Sequence, residues 1–333
     1  MLFFQRDQEL IRLLGSCQVQ VSRAQSNADL LQVLDRLEAF PGGLEFDHAQ
    51  PKLLLVLAFV SLVVSYLMDG MGWMGWVAIG CCFASFLVKR GRLSSLGDLS
   101  TKIGRQCSLF SNGLSEPEGT ADWCFKKLSS EFSDYQRGTE RRDIVTSAQG
   151  VFQGALHSLA FEYHHLRYVN LRKDKGGGEE AFDRYSLVLD FPWVKGLSAR
   201  TDVVGAPLAG KGFETTLDDF NRTFLLQGRR ELDCAKFATP TTLLFLMALS
   251  RRLSKVNLEF SEQGRLCLSF NNDEVMAYAY PGSLADLQAF REQIKAGIEL
   301  PGLSPLLELV HQLAELHDNN FDLPSKVADK MEQ

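Results

Sequence analysis

The sequence lacks cysteine pairs at metal or redox spacing. Its cysteines, Cys17, Cys81, Cys82, Cys107, Cys124, Cys234 and Cys267, are odd in number, scattered and without a C-x-x-C. Such a set reads as reduced thiols rather than a disulfide framework. No histidine or cysteine pair has zinc-ligand spacing, so no metal is expected. Basic excess is absent too: 35 Lys and Arg stand against 41 Asp and Glu, with an isoelectric point near 5.6. That balance argues against a nucleic-acid partner. A secretory leader is not evident either, because about fifty residues precede the first apolar run and no small-residue cleavage site follows it.

What the chain does have is two apolar runs back to back, residues 53–68 and 71–88, separated by Asp69-Gly70. Each is slightly short for a spanning helix, which needs about 20 residues. Asp69-Gly70 is a turn dipeptide, so the runs read as an antiparallel helical hairpin from Leu53 to Val88. Gly72, Gly75, Gly80 and Ala84 would let the helices approach closely. Tyr66, Trp73 and Trp76 cluster at the turn, where amphipathic rings suit a headgroup layer. Lys52, Lys89, Arg90 and Arg92 mark the other end, which places both termini in the cytoplasm by the positive-inside bias. The alternative is a buried hairpin in a soluble core, but neither run shows the polar stripe of a soluble helix.

Before the hairpin, residues 2–14 read as an amphipathic helix that packs on the soluble domain or, alternatively, lies on the inner leaflet. A second helix runs past Leu30, Leu34 and Leu37 from a cap at Ser26 or Asn27 to Pro41-Gly42-Gly43. Beyond it, Phe125, Leu128, Phe132 and Tyr135 mark one face of a helix capped by Asp122. Strands follow from about Asp143. The apolar parity flips near His164-His165, which an extra residue there, a β-bulge, would explain. Gly176-Gly177-Gly178 marks a flexible loop, and residues 186–194 resume as a strand. Thr239-Pro240 opens a helix. In the next hairpin, matching the apolar sets pairs Phe260 with Leu266. Residues 275–280 read as a third strand, and helices over 283–298 and 304–317 precede a frayed tail. The expected fold class is α+β with a mainly antiparallel sheet flanked by helices. The expected organisation is N-terminal helices (1–50), transmembrane hairpin (51–90), helical connector (91–142), cytoplasmic α+β domain (143–320) and flexible tail (321–333).

No catalytic, cofactor-binding or metal-ligating residue is assigned. Residues 205–211 fit G-x-x-x-x-G-K, but Gly212 stands where a P-loop needs Ser or Thr, and Pro207 removes a backbone donor. A solvated turn is the expectation. His164 and His165 are strand neighbours and point to opposite faces, whereas Glu162 and His164 share one. His311 and His317 form no ligand pair. Asp122, Asp134, Asp218 and Asp219 show no acid–base spacing. Cys234 and Cys267 lack an activating neighbour beyond Lys236, so burial is expected.

A set of loose motifs runs through the second half: Gly150-Val151-Phe152-Gln153-Gly154, Val188-Leu189-Asp190-Phe191, Phe213-Glu214-Thr215 with Phe220 and Phe224, residues 235–240, and Leu268-Ser269-Phe270-Asn271-Asn272. In these the chain resembles a bacterial membrane family known as domain of unknown function 3137. The resemblance covers most of the chain from the hairpin onward. It implies an inner-membrane hairpin ahead of a cytoplasmic α+β domain, and it carries no catalytic residues. It also implies a possible partner, since family members occur beside LemA-like coiled-coil membrane proteins. The expected function is a non-enzymatic, membrane-anchored, cytoplasm-facing interaction or complex-organising module of undetermined oligomeric state. The alternatives are an enzyme whose site is assembled from distant residues and a lipid or stress sensor.

Overall fold

In the computed structural model, the described residues are 2–44, 46, 49–67, 73–171, 178–203 and 210–318. Chain order begins with helices α1 (Leu2–Arg23), α2 (Asn27–Glu38), α3 (Ala49–Leu67), α4 (Trp73–Ser111) and α5 (Ala121–Glu131). Strands β1 (Arg142–Gln153), β2 (Ser158–Leu171), β3 (Glu179–Asp190), β4 (Leu197–Arg200) and β5 (Lys211–Phe213) follow. Next come α6 (Asp218–Thr223), β6 (Leu225–Gly228), α7 (Glu231–Phe237), α8 (Pro240–Arg252), β7 (Asn257–Phe260) and β8 (Arg265–Phe270), then α9 (Leu287–Ala296) and α10 (Leu303–His317). They form two units: Met1–Asn112 with Tyr278–Glu299, and Gly113–Ala277 with Leu300–Gln333.

The first unit is helical. Leu10, Leu14, Cys17 and Val21 recur every three to four residues on α1 and share a core with Leu30, Val33, Leu34 and Leu37 of α2. Leu99, Ile103 and Cys107 of α4 and Phe290 and Ile294 of α9 complete it. The Ser26 side chain caps α2 by accepting the Asp29 N–H, and Arg291 of α9 reaches Asp35 and Glu38 at 2.6 and 2.7 Å. The first helix thus runs on to Arg23 and packs within this helical unit.

The apolar halves of α3 and α4 pack on each other inside out. Ala58, Ser61, Ala78 and Ser85 are buried at the seam, and the Ser85 hydroxyl donates to the Pro51 carbonyl at 3.1 Å. Leu53, Val56, Phe59, Trp73, Trp76, Ile79, Phe83 and Phe86 are exposed. Among the described residues no single helix is long and apolar enough to cross a membrane, and Pro51–Leu67 is a shorter apolar helix. The Asp69-Gly70 turn, Met68, Met71 and Gly72 lie outside the described residues. Past Lys89 and Arg90, α4 continues unbroken to Ser111, so the second apolar run and the start of the expected connector are one helix, about 58 Å long at 1.5 Å per residue.

The second unit is α+β. Eight antiparallel strands lie in the order β1-β2-β3-β8-β7-β4-β6-β5. One face carries Leu187, Leu189, Leu258, Phe260, Leu266 and Leu268, all buried. Phe237 of α7 packs on Phe260 there and stacks under His317 of α10. On the other face, Cys124 and Leu128 of α5, with Phe132 and Tyr135, cover Ile144, Leu166, Tyr168, Val188 and Cys267.

That second cover corrects the reading of β2. Strand β2 pairs with β3 without interruption from Phe161 to Leu171, so no residue is inserted at His164-His165. The parity flips because β2 is buried on both faces: Phe161 and Tyr163 point to one core, Leu166 and Tyr168 to the other. The register shift lies on β1, between Ile144 and Thr146. Three further corrections concern boundaries. Residues 273–276 form a 3-10 turn and 277–280 no strand, because the chain leaves the sheet after Phe270. Thr120, not Asp122, caps α5, and α5 ends at Glu131 with Phe132 and Tyr135 beyond it. The Phe260–Leu266 register and the Thr239 cap of α8 are as the sequence indicates. Gly176-Gly177 and the tail beyond Asp318 lie outside the described residues.

Candidate functional site

The face of the sheet under α5 is buried yet polar. Directly opposed residues share a face, and the register sets Arg200, Asn257, Ser269, Ser186, His164 and Ser147 in one cross-strand row. The next row is Gln227, Ser198, Glu259, Cys267, Val188 and Glu162. Polar residues alternating with apolar ones along a strand ordinarily face solvent. Instead, Asn257, Ser269 and His164 have no exposed surface and Glu259 keeps 2 %.

Asp134 satisfies much of this face. It lies in the 3-10 turn Ser133–Gln136 that follows α5. Its carboxylate accepts from Arg137 Nε at 2.5 Å and Arg184 Nη2 at 2.8 Å, and from Asn257 and the Ser269 hydroxyl. Arg137 continues to Asp202 at 3.1 Å, and Arg184 to the Lys255 carbonyl and Asn271 Oδ1. Two buried guanidiniums and two carboxylates thus fix the turn to four strands and their ends. Buried pairs of this kind add little net stability over a well-packed apolar replacement, but removing one partner is costly. Beside them the Tyr135 hydroxyl meets Ser186 Oγ at 2.5 Å.

His164 bridges Ser147 (2.9 Å to Nδ1) and Glu162 (3.1 Å from Nε2). The hydrogen bond from His164 is the chief influence holding the Glu162 carboxyl below its ordinary range. The chain of residue types is that of a hydrolase triad, but His164 is sealed from solvent. Its geometry is that of a satisfied core histidine.

Where α5 stops covering the sheet, a cleft of about 420 Å³ opens over β7, β4 and β6. Glu259, Ser198, Gln227, Glu131, Lys127 and Arg229 line it. Ser133 donates its N–H and hydroxyl to the Glu259 carboxyl at 2.7 and 2.6 Å. Burial first, then the Asp134 charge, push the Glu259 pKa up to about 7, against those two hydrogen bonds and Arg200. Glu131 Oε2 accepts from Arg265 at 2.6 Å, while Glu131 Oε1 and Ser198 Oγ have no hydrogen-bond partner among the described residues. On the rim, Arg229 pairs with Glu262 at 3.2 Å and Lys127 lies over the Trp123 ring. A carboxyl that ionises near neutrality inside a cleft can exchange a proton or bind a cation.

Of the residues weighed in the sequence, Asp134, Glu162, His164 and Cys267 lie at this polar face, and the others fall elsewhere. Residues 205–209 of the G-x-x-x-x-G-K segment lie outside the described residues, and Lys211 opens strand β5 rather than a helix. His165 faces away from His164, bonding Asp183 at 2.7 Å. His311 Nε2 accepts the N–H groups of Leu156 and His157 at the β1–β2 turn. His317 stacks on Phe237, and burial lowers its pKa to about 4. Asp122 is exposed on α5, and Asp218 and Asp219 are exposed in the first turn of α6. Cys234 and Cys267 are buried, and burial raises both thiols. Among the described residues no group of three or more His, Cys, Asp or Glu could hold a metal ion. Ser198 and Glu259 escaped sequence reasoning, although the small polar residues opposite Glu259 and Asn257, Cys267 and Ser269, are unlike a solvated face. Comparison with family models, with curated proteins and with solved structures finds no match.

Proposed function

We propose that the chain is a membrane-anchored protein whose sheet unit serves as a binding module on the cytoplasmic side. The observation that carries this reading is the inside-out packing of α3 on α4. Small residues are buried at their seam and Leu, Val, Phe and Trp face outward. In water that arrangement exposes apolar surface at about 25 cal/mol per Å²; in lipid it is the ordinary way for helices to pack. The resemblance to domain of unknown function 3137 supports the same reading; it implies a bacterial inner membrane and a coiled-coil membrane protein as a possible partner. The test is extraction of cell membranes with alkaline carbonate. The full chain should stay in the pellet and enter solution only with detergent. Release by carbonate alone would overturn the anchor.

A second reading, an enzyme, is favoured by one observation: Glu259, with its pKa near 7, lines a cleft. Binding is preferred because the Ser198 hydroxyl in the cleft, though opposite Glu259, bonds no base among the described residues, and Ser133, which does bond Glu259, is buried outside the lining.

A further inference from the structure

We propose that the cleft between α5 and the β7–β4–β6 end of the sheet binds a protonated primary amine, seated among Ser198, Glu131 and Glu259. This rests on reading the sheet unit as a binding module and supplies the class of its ligand.

Ser198 carries the argument. It is 1 % exposed and lines the cleft, and its hydroxyl has no partner among the described residues. A buried hydroxyl without a partner costs free energy that a bound polar group would recover. Glu131 adds a second open valence at Oε1, because Arg265 takes only Oε2. Glu259 adds a third acceptor. Ser133 supplies it with two donors, and an ionised carboxylate has room for about four. An ammonium has three N–H donors and no acceptor, which matches three oxygens.

An anion suits the cleft less. The cations at its rim are engaged, Arg229 with Glu262 and Lys127 with the Trp123 ring. Arg200 is not among the lining residues; it donates to Gln227 at 2.7 Å, and only its Nε is buried without a partner among the described residues.

The proton balance follows. Burial and then Asp134 keep Glu259 partly protonated near neutral pH, against the Ser133 donors and Arg200. Cys267, the buried neighbour on β8, is held as a thiol. An arriving ammonium favours the carboxylate, so the Glu259 proton leaves to the buffer as the ion pair forms.

The experiment is calorimetric titration of the full chain in mild detergent, at pH 7, in two buffers of different ionisation enthalpy. The probes are N-acetyl-lysine amide, ethylamine and acetate. Expected are amine binding with net proton release, and no binding of acetate. Glu259→Gln should lose the proton release and weaken binding about tenfold. Ser198→Ala should weaken binding while leaving proton release intact. Thermal melts show that each variant is folded, and Glu131→Gln replaces either one that is not. Tighter binding of the lysine amide than of ethylamine supports a lysine of a partner chain as the source. Equal binding supports a free small amine. No amine binding up to about 50 mM, equal binding of acetate, or unchanged affinity in Glu259→Gln would overturn the site. Carbonate extraction judges the anchor separately, so the site can fail while the anchor stands.

Discussion

Glu259 is a buried acid beside a second buried carboxyl, Asp134. Two guanidiniums reach the Asp134 carboxyl at 2.5 and 2.8 Å, whereas burial and the Asp134 charge raise Glu259 against the Ser133 donors and Arg200. Raising a carboxyl from 4.5 to about 7 on folding means that the native state holds a proton the unfolded chain releases. The associated stability is fully present below pH 4.5 and is lost as pH rises to 7, by on the order of 3 kcal/mol. Glu259→Gln should therefore flatten the fall in stability across that window, measured by urea unfolding at several pH values. An unchanged slope would assign the pH dependence to other groups. Little of this was legible in the sequence. Alternation of Leu258 and Phe260 with Asn257 and Glu259 shows which residues share a face, but not that a helix will cover the polar one. The informative residues were Ser186, Ser198, Cys267 and Ser269, small polar side chains where a wet face would carry Lys or Glu.

The β1–β2 hairpin is fixed at its tip by α10. Gly154 leaves room for the His311 ring, since a Cβ there would overlap it. The ring nitrogen in turn accepts the Leu156 and His157 N–H groups at 3.3 and 3.1 Å. Gly154→Ala should push the tip off α10, with hydrogen exchange at Leu156 and His157 faster than in the unchanged protein and a loss of about 1–3 kcal/mol. Protection equal to the parent would show that the tip docks by other contacts. Element type was legible wherever local chemistry decided it. Ser26 and Thr239 announce their helices, and the apolar sets of β7 and β8 fix their register. Residues 275–280 misled because alternation alone cannot tell a strand from an extended connection. At β2 the misleading signal was a change of core, from Phe161 and Tyr163 on one face to Leu166 and Tyr168 on the other, which only the position of α5 explains.

At the scale of the whole molecule, charge marks one end of the α3–α4 pair and aromatic rings the other. Lys52, Lys89 and Arg90 are exposed at the first, and Tyr66, Trp73 and Trp76 at the second. On the proposed anchor this polarity places the basic end in the cytoplasm. A reporter fused after Gln333 should then be active only when it is a type that works in the cytoplasm; activity of a periplasm-dependent reporter would reverse the orientation.

The two units are also interlaced along the chain. It leaves the first at Asn112, builds most of the second, comes back to lay α9 into the helical core from Tyr278 to Glu299, and leaves again to place α10. During synthesis, α1, α2 and α4 therefore wait for a helix that starts about 180 residues after α4 ends. The sheet waits still longer for the side chains of α10. Neither unit exists as a contiguous piece of polypeptide. A stop codon anywhere before α10 leaves the sheet unit open, and one before α9 leaves both open, with their apolar surfaces exposed to whatever quality control the cell provides.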